Sequence, residues 1–84
     1  MSLAKILWVD DEMESLKSQI MFLENKGYEV KSLSNGFDAV EYVKANEVDV
    51  VLLHESMPGI SGLETLQKIK EVKLTPQAAA YCFL

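Results

Sequence analysis

Two short apolar runs dominate the chain, and each ends abruptly in polar residues. Ile6-Leu7-Trp8-Val9 stops at Asp10-Asp11-Glu12, and Val50-Val51-Leu52-Leu53 stops at His54-Glu55-Ser56. Short continuous runs of this kind fit strands buried on both faces, as in a parallel sheet. Trp8 accordingly reads as core packing rather than a binding platform. Between the runs, Tyr28-Glu29-Val30-Lys31-Ser32-Leu33 alternates and is more polar, the pattern of an edge strand. Over about 12–26, Met13, Leu16, Ile20 and Leu23 recur at helical spacing, and Met21 and Phe22 widen the stripe. That stripe predicts core rather than a cofactor pocket. Gly27 is placed to end this helix in the left-handed conformation. Ala39, Val40 and Val43 mark a second helix to about Ala45, with Asn35 as its cap and Asp38 three residues on. Pro58 and Gly59 force a turn, and Ser61 with Glu64 reads as a capping box. The box opens a third helix over about 62–72, with Leu63, Leu66 and Ile69 facing inward.

Strand and helix thus alternate as βαβαβα with short loops. This implies an α/β fold with a parallel sheet and right-handed crossovers. The spacing is too uneven for a solenoid repeat, and nothing resembles a linker until Lys73. Beyond it the tail, residues 74–84, is apolar and uncharged, and Tyr81 to Leu84 is its candidate strand. The expected organisation is a partial domain over 1–73 followed by an atypical tail over 74–84.

The chain has 84 residues, enough for one small domain at most. A domain of this size buries only a little more than the roughly 60 % of surface typical of the smallest domains, so its stability is marginal. The net charge of -5 argues against non-specific nucleic-acid binding by the whole surface. It leaves room for a basic protein partner or a bound metal. The single cysteine, Cys82, excludes an intrachain disulfide and makes a reducing compartment the default. The longest apolar run, residues 78–84, has seven residues, whereas a membrane span needs ~20. Only four apolar residues follow Lys5 before the acidic run, so no signal peptide is read. Together these features predict a soluble cytoplasmic protein.

In open parallel sheets, ligand chemistry gathers at the carboxyl ends of the strands. If the first and third strands are neighbours, Asp10, Asp11 and His54 meet there. Two carboxylates held close repel unless a cation or proton sits between them. A hard divalent ion such as Mg²⁺ takes oxygen ligands, so the acidic pair is a candidate Mg²⁺ site. The bland alternative is that acidic residues simply suit the positive end of the following helix. There is no GxGxxG, P-loop, Cys/His zinc pattern or nucleophile elbow.

The run from Ile6 to Glu12 is followed by Gly27-Tyr28-Glu29-Val30 and then Asn35-Gly36-Phe37-Asp38-Ala39. Next come Asp49-Val50-Val51-Leu52-Leu53 and, past His54, Met57-Pro58-Gly59-Ile60-Ser61-Gly62. In this order and spacing the chain resembles the receiver domain of response regulators in two-component signalling, over roughly residues 4–73. The wording also resembles receivers attached to a PglZ-type phosphatase-like effector. The resemblance implies a flavodoxin-like (CheY-like) fold. It implies phosphoryl transfer from a sensor histidine kinase onto an aspartate, assisted by Mg²⁺, with output through an effector domain or protein. Carried over by position, Asp11 would bind the metal directly and Asp10 mainly through water. The Ser56 backbone carbonyl would be a further ligand, and Pro58 and Gly59 would shape the loop. Such a metal neutralises charge on the transferring group.

Two departures matter. The family's acceptor aspartate lies three residues before the Met-Pro-Gly, and that position is His54. Neutral imidazole cannot form an acyl phosphate. It also removes a negative charge and an oxygen ligand, which weakens Mg²⁺ binding. A borrowed transition metal and a phosphohistidine are the active alternatives at residue 54, and a plain polar strand end is the inert one. Glu55 is a poor substitute acceptor, because strand neighbours point to opposite faces. Second, the family has five βα units and only about three are present here. Neither its Ser or Thr switch residue nor its phosphate-pairing lysine can be assigned.

The preferred reading is a phosphorelay receiver impaired as a phosphoryl acceptor. Two alternatives stand beside it: a phosphate-independent interaction module, with a second copy of itself among the candidate partners, and a truncated fragment without function of its own. An enzyme is not expected, because the DxD spacing of aspartate-based phosphatases is absent: Asp10 and Asp11 are adjacent. No direct nucleic-acid or membrane partner is expected.

Overall fold

β1 (Lys5–Val9) lies inside the sheet, and every residue after Lys5 is buried. An unbroken apolar run requires this, since side chains on both faces need cover. The computed structural model describes residues 3–55, 57, 59–72 and 77–81, the last five as backbone. β2 (Glu29–Leu33) pairs in parallel with one side of β1, and β3 (Val50–His54) pairs in parallel with the other. β4 (Gln77–Tyr81) then pairs in parallel with β3, giving the order β2-β1-β3-β4. This is the opening of the flavodoxin-like order, with its switch point between β1 and β3. β2 is an edge strand, as its polarity predicts.

The fourth strand begins earlier than the tail's composition indicated. It spans Gln77–Tyr81, and residues 82–84 lie outside the described residues. β3 offers a row of backbone donors and acceptors on its far side, and the tail is an uncharged segment able to pair there. The described residues therefore form three βα units and a fourth strand.

Alternate strand residues feed two unequal layers. Leu7, Val9, Val51 and Leu53 pack with Ala39 and Val43 of α2 (Gly36–Ala45) and Ile69 of α3 (Gly62–Val72). All seven are essentially inaccessible to solvent. On the other face, Trp8 lies beside Ser18, Gln19, Phe22 and Leu23 of α1 (Lys17–Asn25). A 3₁₀ turn, Met13–Leu16, precedes α1, so the predicted single helix is split. Leu16 is buried, but α1 itself has no buried residue, and Met21 and Phe22 are 61 % and 59 % exposed. The expected core stripe is thus corrected: it is narrower than the sequence suggests. Among the described residues α1 covers its face of the sheet alone, so nothing packs on its outer side.

The caps follow the sequence closely. Asp38 N–H donates to Asn35 Oδ1 at 2.9 Å, and Asn35 Nδ2 donates back to Asp38 Oδ2 at 2.9 Å. Gly27, at φ +102°, ends α1: its N–H donates to Glu24 O at 3.0 Å and Tyr28 N–H donates to Leu23 O at 3.1 Å. This pair of bonds is a Schellman motif, and the left-handed residue it needs is the reason for glycine. In α3 the inward residues are Gly62, Thr65 and Ile69, with Leu66 half-buried. Leu63 is 51 % exposed, so its expected core role is corrected. Thr65 takes the inward position because its hydroxyl donates to Ser61 O at 2.8 Å and needs no water.

Two substitutions separate the covered layer from the bare one. Leu53→Ala should cost about 2–5 kcal/mol, enough to unfold much of so small a domain. Phe22→Ala should cost under about 1 kcal/mol. Urea midpoints followed by circular dichroism check both.

Candidate metal centre

β1 and β3 run side by side with Val9 opposite Leu53. The next residues along the chain, Asp10 just past β1 and His54 at the end of β3, therefore lie at the same edge of the sheet. Asp49 fixes this alignment at the other end. Its N–H donates to Lys5 O at 2.8 Å, and its carboxylate accepts from Lys5 N–H at 2.8 Å. Asp10 is only 3 % exposed. Its N–H donates to Leu33 O at 3.1 Å, which extends the β1–β2 ladder by one bond. Its Oδ1 accepts from Glu12 N–H at 2.8 Å. That bond satisfies part of a buried carboxylate.

His54 Nδ1 lies 3.9 Å from Asp10 Oδ1 and 3.6 Å from Asp11 Oδ1. The His54 side chain is 13 % exposed and that of Asp11 is 31 % exposed. One ligand atom from each of Asp10, Asp11 and His54 lies within 4.8 Å of the other two. The three residues that the sequence singled out at strand tips are thus brought together. The predicted Ser56 ligand lies outside the described residues, as does Pro58.

The backbone under His54 is held on two sides. β4 pairs with it through Tyr81. The start of α3 presses on it as well: a Cβ on Gly62 would lie 2.5 Å from the His54 carbonyl oxygen. Only glycine allows this approach. Ser61 caps α3 by accepting from Glu64 N–H at 3.1 Å. Glu55 has a role that the sequence reading did not assign. Its carboxylate accepts from Leu63 N–H at 2.8 Å, and its carbonyl accepts from Gly62 N–H at 3.0 Å. It is engaged by the start of α3, not poised as a second acceptor. The orphan donors of a helix first turn were the available signal.

Chemically the pocket offers two carboxylate oxygens and one imidazole nitrogen. Mg²⁺ takes oxygen ligands in near-ideal octahedral geometry. Asp10 and Asp11 meet that demand, and His54 does not. The donor set fits Mg²⁺ in part.

The model of the response regulator receiver domain family matches residues 6–81. The chain belongs to that family. As a receiver domain it is a module of two-component, phosphorelay signal transduction. Receivers of this kind are in general signalling modules rather than enzymes. The receiver is 38 % identical over 72 residues to the transcriptional regulatory protein ResD of Bacillus subtilis (strain 168), covering 86 % of this chain and 30 % of ResD. It is 33 % identical over 72 residues to the regulatory protein VanRc of Enterococcus gallinarum, covering 86 % of this chain and 31 % of VanRc. It therefore spans about a third of the length of these relatives. Among solved structures, the response regulator TrrA from Thermotoga maritima, in complex with Mg²⁺-BeF, superposes with a TM-score of 0.86 at 32 % identity. That match covers 95 % of this chain and 70 % of TrrA. TrrA bound to the histidine kinase ThkA gives 0.84 at 33 % identity, covering 93 % and 67 %. Among the described residues, no helix is long and apolar enough to cross a membrane.

The Glu55 contact is open to a direct check. Glu55→Ala should speed amide hydrogen exchange at Leu63 and lower stability by about 1 kcal/mol. Gly62→Ala should cost more, because the clash is with backbone and no rotamer relieves it.

Proposed function

We propose that this receiver takes part in phosphorelay signalling but is impaired as a phosphoryl acceptor. One observation carries the reading. The position at which the receivers it resembles hold the acceptor aspartate is His54, seated beside the acidic pair Asp10 and Asp11. An imidazole there forms no acyl phosphate. It also withdraws one charge and one oxygen from a metal site that would otherwise suit Mg²⁺. Asp10 and Asp11, with the Ser56 carbonyl, would hold Mg²⁺ more weakly than a full oxygen set. When bound, that ion would offset negative charge on a phosphoryl group.

A sensor histidine kinase is the proposed partner, supported by the likeness to TrrA in its complex with ThkA. An effector domain or protein is the proposed output. The similarity to the transcriptional regulatory protein ResD, about three times as long, supports it. The proposed setting is the cytoplasm, and the chain is proposed to have no enzymatic activity of its own. The test is intact mass after incubation with acetyl phosphate and Mg²⁺. The expected spectrum has no stable phosphoryl adduct. A stable adduct on this chain overturns the impairment.

A second reading has its own support: recruitment of a partner without phosphate. Met21 and Phe22 are exposed on α1, and β4 lies at the edge of the sheet. Exposed apolar surface and strand edges are both sites of association. A second copy of the chain is the simplest partner. Light scattering should then show a mass that rises with concentration, and a monomer at every concentration counts against it.

A further inference from the structure

The pocket's donor set is a better match to a different class of ion than the one its fold implies. We infer that His54 turns this pocket into a site for a divalent transition ion, of which Zn²⁺ is representative. The ligands are one carboxylate oxygen each from Asp10 and Asp11, and Nδ1 of His54. The inference rests on the receiver reading for the place of the pocket, and not on any phosphoryl transfer.

Three features support it. First, the donors converge. Zn²⁺ holds nitrogen and oxygen ligands at about 2.0–2.2 Å, which places tetrahedral donors about 3.3 Å apart. Nδ1 of His54 is 3.6 Å from the Asp11 oxygen and 3.9 Å from the Asp10 oxygen. The Asp10 and Asp11 oxygens lie within 4.8 Å of each other, so the three donors draw together when they close on an ion. Second, the chemistry of the donors selects the ion. Imidazole suits zinc, nickel and copper, whereas magnesium prefers oxygen throughout, and transition ions bind mixed nitrogen and oxygen sites more tightly. Replacing a carboxylate by neutral imidazole removes charge, which hurts a hard ion most. Third, two of the three ligands are anchored. Asp10 is buried, and the Oδ1 that faces His54 also accepts from Glu12 N–H at 2.8 Å, which fixes the orientation of the carboxylate. The backbone of His54 is pinned between β4 and Gly62. A receiver of the same fold, TrrA, is known in complex with Mg²⁺-BeF, so a cation in this fold has an independent precedent.

Three protein ligands leave coordination positions for water or an anion. Outside the pocket, Cys82 is the competing ligand for a soft ion. It lies outside the described residues, so its thiol is removed in the test.

The experiment is calorimetric titration of the tag-free full chain, in a Cys82→Ser background, with Zn²⁺ and separately with Mg²⁺. Co²⁺ absorption serves as a second reporter of the ligand set. The expected result is one Zn²⁺ per chain, bound at least about a hundredfold more tightly than Mg²⁺. His54→Ala should weaken Zn²⁺ at least about tenfold and alter the Co²⁺ spectrum. Its circular dichroism without metal shows whether it is folded. His54→Asp should reverse the preference by strengthening Mg²⁺ and weakening Zn²⁺. Zn²⁺ binding unchanged in folded His54→Ala, or no Zn²⁺ binding by the parent chain, overturns the inference. If His54→Ala loses Zn²⁺ but His54→Asp gains no Mg²⁺, the transition-metal site stands and the receiver reading of the pocket falls.

Discussion

Everything at the candidate site depends on the register between β1 and β3. Apolar pattern alone does not set it, because β1 is buried on both faces and carries apolar residues at both parities. A slip would still bury hydrophobic side chains, but it would part Asp10 from His54. The reciprocal bonds between Asp49 and Lys5 fix the alignment at one end of the pair. With Val9 then opposite Leu53, the acidic pair and the imidazole leave the sheet together. The loop and helix that follow β3 complete the arrangement. Gly62 lies against the His54 carbonyl and Glu55 holds the first turn of α3, so the strand tip cannot drift.

Within that frame one residue changes the chemistry. The fold gathers Asp10, Asp11 and His54 at the switch point of the sheet, where such folds generally bind ligands. The acidic pair is present, and Asp10 is held by Glu12 N–H. His54 supplies nitrogen where the resembling receivers supply a carboxylate. On the reading proposed above, the imidazole that forms no acyl phosphate also favours a different ion, so a single side chain accounts for both effects with no change in backbone path.

Much of this was legible in the sequence because it is written in local rules. Asn35, Ser61 and Gly27 act where capping and left-handed turns need them, whatever the tertiary context. The meeting of Asp10, Asp11 and His54 followed from two apolar runs and one assumption about strand order. What could not be read depended on the number of covering layers. Helical spacing shows that Met21 and Phe22 widen an apolar stripe, but not that both stay exposed among the described residues. The burial of Thr65 in place of Leu63 depended on a hydroxyl finding the Ser61 carbonyl. The role of Glu55 joins a strand tip to a helix start eight residues away, which no local pattern announces. The pairing of β4 depended on an edge that only the assembled sheet presents.

The site stands on the placement of His54 against Asp10 and Asp11. The chain has one histidine, so its ring protons give unambiguous nuclear magnetic resonance signals. A nuclear Overhauser spectrum of the metal-free chain is the most direct measurement. The expected result is cross-peaks from the His54 ring to the β protons of Asp10 and Asp11, alongside the α-proton-to-amide contacts of the parallel β1–β3 pair. A His54 ring with sequential contacts alone, in a chain whose sheet is otherwise intact, would contradict it.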